Sequence, residues 1–169
     1  FDHLMVLLPF ESHYFEEAGL SCTFVGHPAA RDNQPGIGKQ FRAEHGLESA
    51  NVIGVFPGSR KSEVRRMLPV FGDAVHLLNS DIPNLHVVTT VVSGVRSMIE
   101  ASVRKWSIPV TLIESIRNKR AAYQGCDVAL AASGTVTTEL AAAGTPMVVG
   151  YKMAPLTVAI ARHLVKVPH

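Results

Sequence analysis

The chain has 169 residues, 47% of them hydrophobic and 18% charged, with a formal net charge of +2 at pH 7. That describes a folded globular protein long enough for one real core, burying roughly 70% of its unfolded surface, with no apolar run near the roughly 20 residues of a membrane span. Cys22 and Cys126 lack CxxC spacing and eight histidines show no HxxxH or HExxH pattern, so reduced thiols in a cytoplasmic protein are expected and a metal site has little support.

Leu4 to Leu8 is strand-like and Pro9 ends it. No initiating Met or signal peptide precedes it, so the sequence reads as a piece of a longer protein. Glu11 to Ala18 predicts a short helix closed by Gly19, and Cys22 to Val25 a second strand. Gly26-His27-Pro28 is a turn, and a hydrogen-bonded His27, unless a partner domain covers it, is the simplest reading of it. Asp32, Asn33, Pro35, Gly36 and Gly38 mark a loop, and Lys39 to His45 a helix with Gly46 at its end.

From there the pattern is regular. Asn51 to Phe56 is an apolar strand, Pro57-Gly58-Ser59-Arg60 a tight loop, and Lys61 to Met67 the start of a helix. Pro69 is expected to restart that helix as a first-turn proline. Val64, Leu68, Phe71, Val75 and Leu78 recur at helical spacing. Leu85 to Val92 and Val110 to Ile113 read as strands, and Arg96 to Lys105 and Arg117 to Gln124 as helices. Val128 to Ala131 is a strand, Leu140 to Ala143 a helix stopped by Gly144-Thr145-Pro146, Met147 to Gly150 a strand and Pro155 to Val165 a last helix. Short, unalternating Val, Ile and Leu strands are those buried on both faces. Their alternation with helices predicts right-handed parallel crossovers and an α/β, doubly wound, mostly parallel, Rossmann-like sheet.

In such a sheet ligands bind beyond the carboxyl ends of the strands. Gly58, Ser59 and Arg60 follow one such end, and Ser133, Gly134, Thr135, Thr138 and Glu139 another. Ile113 with Glu114, and Tyr151 with Lys152, follow two more. Free N–H groups and a helix dipole after Ala132 suit an anion, Gly134 admits it to the backbone, and Ser133 and Thr135 add donors. Arg60 offers a fork for phosphate oxygens. Glu139, one turn beyond Thr135, can accept two hydrogen bonds from a ribose diol. Together these suggest a nucleoside diphosphate. Ser or Thr at a strand–helix junction is ordinarily a cap, but no Glu or Gln stands three residues after Ser133 or Thr135 to complete a capping box. The run Arg117-Asn118-Lys119-Arg120 reads first as a solvated helix face. Packing on the sheet is the default for the last helix. Its Leu156, Ile160 and Leu164 form one stripe, and Arg162 and Lys166 follow a stretch with no acid after Glu139, which also fits a helix touching anionic lipid. No Walker A, GxSxG or GxGxxG pattern occurs, and no basic–aromatic interleaving points to nucleic acid.

Leu8-Pro9-Phe10-Glu11, Val25-Gly26-His27-Pro28, Pro57-Gly58-Ser59-Arg60 with Glu63, Ala132-Ser133-Gly134-Thr135 with Thr138-Glu139-Leu140, and Pro146 to Lys152 occur in this order over nearly the whole chain. Each piece is weak alone. Together they closely resemble the lipid-A-disaccharide synthase family, inverting glycosyltransferases of the two-Rossmann GT-B architecture.

The resemblance implies transfer of 2,3-diacylglucosamine from its UDP donor to 2,3-diacylglucosamine 1-phosphate (lipid X), giving the lipid A disaccharide 1-phosphate and UDP. It implies no cofactor, the UDP-sugar being substrate, and a peripheral place on the cytoplasmic face of the inner membrane. Residues 1–20 would end an N-terminal domain and its linker, and residues 21–169 would be the UDP-binding half, cut short at its C-terminus. Gly58, Ser59, Arg60, Ser133, Gly134, Thr135 and Thr138 would meet the diphosphate, and Glu139 the ribose. His27, Ile113, Glu114, Tyr151 and Lys152 would line the cleft. The proposed catalytic base and most acceptor contacts belong to the family's N-terminal domain, so this chain alone is expected not to turn over. Leu112 to Ile116 departs from the family's Gly-containing loop, which leaves recognition of the base open. The competing readings are a UDP-N-acetylglucosamine 2-epimerase-like enzyme of the same architecture, against which Ser133-Gly134-Thr135 speaks, and a non-catalytic membrane-docking module.

Overall fold

A computed structural model describes residues 1–30, 34–114 and 118–153. Two compact units result, Phe1–Pro35 and the chain from Gly36 onward. In the first, β1 (Leu4–Val6) and β2 (Cys22–Phe24) pair in parallel, with α1 (Glu11–Glu17) between them in sequence. Glu11 ties the start of α1 to the turn before it, its Oε2 accepting the Leu7 and Leu8 N–H groups at 3.1 and 2.8 Å. The expected division after residue 20 falls inside this unit, because Leu4 pairs with Cys22.

The second unit carries a five-stranded sheet in the order β5-β4-β3-β6-β7, every pair parallel. Its strands are β3 (Asn51–Phe56), β4 (Leu85–Thr90), β5 (Val110–Ile113), β6 (Val128–Ala132) and β7 (Met147–Gly150). Its helices among the described residues are α2 (Ile37–Glu44), α3 (Lys61–Asp81), α4 (Arg96–Val103), α5 (Lys119–Gln124) and α6 (Thr135–Ala143). This is the α/β doubly wound, parallel arrangement that the strand composition predicts.

β3 is central, and five of its six residues are buried. Its side chains alternate between two cores. Val52 and Phe56 join Phe41 of α2, Tyr123 of α5 and Leu140 of α6. Ile53 and Val55 join Met67, Phe71 and Val75 of α3, beyond which Val64 and Leu68 meet Ile99 and Val103 of α4. Helices therefore cover both faces, which is why the strands read as continuous apolar runs.

Two expectations are corrected. Pro69 does not restart a helix: α3 runs unbroken from Lys61 to Asp81 with the proline inside it. Its buried stripe, Val64, Met67, Leu68, Phe71 and Val75, keeps helical phase across Pro69. Pro69 and Arg65, whose carbonyl loses its N–H partner, are both exposed, so solvent can take the missing bond. The helix after Ala132 does not begin at Leu140: α6 starts at Thr135, so the hydroxyl-rich segment is its own first turn. β1 and β4 also end two residues earlier than Leu8 and Val92. The expected last helix from Pro155, with Leu156, Ile160, Arg162, Leu164 and Lys166, lies outside the described residues, as do Ser115, Ile116 and Arg117.

Candidate functional site

After β3 the chain crosses to one side of the sheet, building β4 and β5, and then returns to the other side of β3 as β6. The loops after β3 and β6 therefore diverge and leave a crevice between them. A cleft of about 510 Å³ lies there, within the size range of small-molecule sites. Gly58, Ser59, Arg60 and Glu63 form one wall, and Ala132 to Val136 another. Thr90, Val91, Val92, Ile113 and Glu114 come from the ends of β4 and β5, and Lys119 and Tyr123 from α5.

Backbone geometry explains the first wall. Gly58 has φ +109°, and a Cβ there would lie 2.6 Å from Glu63 Oε2 and 2.9 Å from Glu63 Cβ. Only glycine lets the loop turn so close beneath α3. The N-cap of α3 is Arg60 rather than Ser59. Glu63 reaches back to it, accepting the Arg60 backbone N–H at 3.3 Å and the Arg60 Nη1 at 2.6 Å, which is the acidic half of a capping box. Burial pushes the Glu63 carboxyl up, but the Arg60 side chain, the Arg60 and Ser59 N–H groups and the Arg60 charge outweigh it and hold it below the usual range.

The second wall is the start of α6. Its N-cap is Gly134 (φ +156°), and no side chain caps the helix there. Thr137 turns inward instead, its hydroxyl donating to the Gly134 carbonyl at 2.7 Å. Ser133, Gly134 and Thr135 are all exposed. The Thr137 N–H is itself bonded to the Gly134 carbonyl at 3.1 Å, so it is Thr135 and Val136, at the head of a nine-residue helix, that present the helix N-terminus to the cleft wall.

Behind this wall stands Glu139. Its Oε2 accepts the Tyr123 hydroxyl at 3.1 Å and lies 2.6 Å from Lys119 Nζ. Tyr123 is 2% exposed and packs edge-on against Phe56 with centroids 4.8 Å apart. Burial, then the Glu139 charge and hydrogen bond, push its phenol far above the ordinary range, against a smaller opposing hydrogen bond from Thr90. At the far rim Glu114 is paired with Arg96, Oε2 to Nη1, at 2.6 Å.

The structure thus gathers Gly58, Ser59, Arg60, Ile113, Glu114, Ser133, Gly134 and Thr135 around one cleft. Glu139 joins it through Lys119 and Tyr123, and Thr138 sits beside it on α6, half-buried. Tyr151 and Lys152 are exposed beyond β7 and do not line it. His27 belongs to the first unit, where its Nδ1 accepts the Ala29 N–H at 3.1 Å in a local turn. Tyr123 and Thr90 are lining residues the sequence reading missed, and Lys119 is one it took first for a solvated face. Lys119 is no solvated face, and its apparent membership of a charge run hid that. Among the described residues the cleft wall holds no His, Cys or Asp, and no cluster of three potential metal ligands occurs. The wall can grip an anion at a helix N-terminus between two cations and accept hydrogen bonds at a carboxylate beside it.

The family model described as lipid-A-disaccharide synthetase matches residues 1–169. Curated relatives include a lipid-A-disaccharide synthase from Rhodospirillum centenum, 44% identical over 98% of this chain and 42% of its own length. Another, from Ruegeria pomeroyi, is 42% identical over 98% of this chain and 44% of its own. The chain therefore spans less than half the length of the curated relatives it matches. Among solved structures, a family 9 glycosyl transferase from Veillonella parvula has a TM-score of 0.56 at 18% identity, over 70% of this chain and 35% of its own, a likeness of fold.

Proposed function

The chain belongs to the lipid-A-disaccharide synthase family, and from that premise we propose that it is the UDP-binding half of such an enzyme. The reaction is transfer of 2,3-diacylglucosamine from UDP to lipid X, with inversion. The observation that carries this is the cleft at the switch point, with Arg60 and Ser59 facing one side and the first turn of α6 the other.

In this reading the diphosphate lies between the two walls. Ser59, Arg60, Ser133 and Thr135 hold its oxygens beside the Gly134 backbone and α6. As the sugar–phosphate bond breaks, negative charge grows on the leaving diphosphate. Preorganised donors and the Arg60 guanidinium stabilise that charge more than the bound ground state. Glu139 accepts the ribose hydroxyls. Ile113 and Glu114, at the end of β5, flank the base. Tyr151 and Lys152 serve the mouth of the cleft, and His27 a contact outside it. The acceptor hydroxyl attacks from the face opposite the diphosphate. Its general base and most acceptor contacts are assigned to the part of the relatives' length that this chain does not match, so the chain alone binds UDP weakly and gives no turnover. The enzyme works peripherally on the cytoplasmic face of the inner membrane; no described helix is long and apolar enough to cross one.

Calorimetric titration of UDP into the chain, beside Arg60→Ala and Glu139→Gln, tests the reading. Each substitution is expected to weaken binding by about 1.5–3 kcal/mol, the worth of a hydrogen bond to a charged group. No UDP binding, or binding indifferent to both changes, overturns it.

A further inference from the structure

We propose that Lys119 is a latch on Glu139 which a nucleoside diphosphate releases by exchange: the ligand's diol takes the carboxylate and its phosphate takes the ammonium. This rests on the nucleotide reading above and adds a specificity-determining residue to it.

One carboxylate oxygen, Glu139 Oε2, holds two donors of different kinds. The Tyr123 hydroxyl is fixed: its ring is buried against Phe56 and cannot leave. The Lys119 ammonium rides on a flexible four-carbon stem with rotatable donors. When hydroxyls arrive at Glu139, Lys119 is the donor that can yield. Its pair with Glu139 is partly exposed, 33% and 29% for the two side chains, so solvent screens it and it breaks at modest cost.

The displaced ammonium stays in the cleft, whose wall Lys119 already forms together with Arg60. Arg60 is parked in the same way, on Glu63 at 2.6 Å. Among the described residues, each cation of the cleft wall, Arg60 and Lys119, is therefore paired with its own carboxylate until an anion enters. A neutral nucleoside would break the Lys119–Glu139 pair and offer the ammonium nothing. A nucleoside diphosphate breaks it and replaces it. The exchange makes the site reject the nucleoside and accept the phosphorylated form, a discrimination made by leaving a charge unpaired.

Titration of uridine and of UDP into the chain and into Lys119→Met and Lys119→Arg separates the possibilities. Lys119→Met is expected to bind uridine as tightly as the parent or tighter, and UDP about tenfold more weakly, one charged contact's worth. Lys119→Arg is expected to keep most of the parent's preference. Equal weakening of both ligands, as a merely structural lysine would give, overturns the latch, and so does an unchanged UDP-to-uridine ratio. A parent chain that binds no UDP overturns the nucleotide reading itself, which distinguishes the two failures.

Discussion

Arg60 Nη1 stands 2.6 Å from Glu63 Oε1, and the same carboxylate accepts the Arg60 backbone N–H through its other oxygen. One acid thus ties off the start of α3 and restrains the cation that opens onto the cleft. The Arg60 side chain is 79% exposed and the Glu63 side chain 15%, so the pair is wet on one side only.

Glu63→Gln therefore has two expected effects. Thermal unfolding should show a small loss, about 0.5–1 kcal/mol, because the partly exposed ion pair with Arg60 goes while the Gln amide oxygen can still accept the Arg60 N–H. The sign with pH follows from the lowered Glu63 pKa. Stability from this group is present above the unfolded carboxyl value and is lost as pH falls through the lower folded one. Parent and variant should converge in acid and separate above the ordinary carboxylate range, which unfolding midpoints across that range will check.

Gly58→Ala and Gly134→Ala distinguish two reasons for a glycine. At Gly58 both φ +109° and the 2.6 Å approach to Glu63 oppose a side chain, so a loss of about 2–3 kcal/mol in urea unfolding is expected. At Gly134 a Cβ meets nothing within 4 Å, so only the backbone conformation resists, and the loss should be smaller by about 1 kcal/mol. Equal losses would mean that the Glu63 contact relaxes freely.

How far such features could be read in advance depends on distance along the chain. β3 and β6 were legible because strands buried on both faces leave unbroken apolar runs such as Asn51 to Phe56. The cleft was legible because each wall is local: Gly58 to Arg60 and Ser133 to Thr135 are contiguous turns. The α6 start was not, since Thr135, Thr137 and Thr138 are weak helix formers and the packing of Leu140 in the core overrides them. The unbroken α3 was hidden by local proline chemistry, which the buried stripe outweighs. Lys119 was hidden for a different reason. Its partner Glu139 lies twenty residues on, and no local pattern separates a paired lysine from a solvated one.

Cys126 gives an alkaline signature. Its thiol is buried, donates to the Ala122 carbonyl at 3.1 Å, and is pushed up to about 12, mainly by burial, with Arg42 opposing and Asp127 assisting. A raised folded value means that stability is complete below the unfolded thiol's pKa and declines as pH rises towards the folded one. Cys126→Ala should therefore flatten part of the stability loss between roughly pH 9 and 12. Tyr123→Phe should flatten a separate part beginning near pH 10, since its phenol is raised as well. Urea midpoints at a series of alkaline pH values measure both slopes. A Cys126→Ala slope identical to the parent's would show that the thiol does not stay protonated in the fold.

Asp127 fastens the central strand to its neighbour. Its Oδ2 accepts the N–H of buried Val52 at 2.8 Å, and its own N–H donates to the Val52 carbonyl at 2.8 Å. Its Oδ1 lies 2.7 Å from Arg42 Nη2, and Arg42 Nε donates to the Gly125 carbonyl at 2.8 Å. One carboxylate thus joins α2, β3 and the entry to β6, the strand that carries the second wall of the cleft. Asp127→Ala strands the Val52 N–H and leaves Arg42 uncompensated, so about 2–3 kcal/mol of stability should go. Asp127→Asn keeps an acceptor for Val52 and should lose about half as much. In a double-mutant cycle with Arg42→Met, the coupling should account for most of what the Asn variant loses, because that variant removes the ion pair and keeps the Val52 acceptor. A coupling near zero would assign the whole effect to the Val52 backbone bond, and would remove α2 from the set of elements that hold the switch point in place.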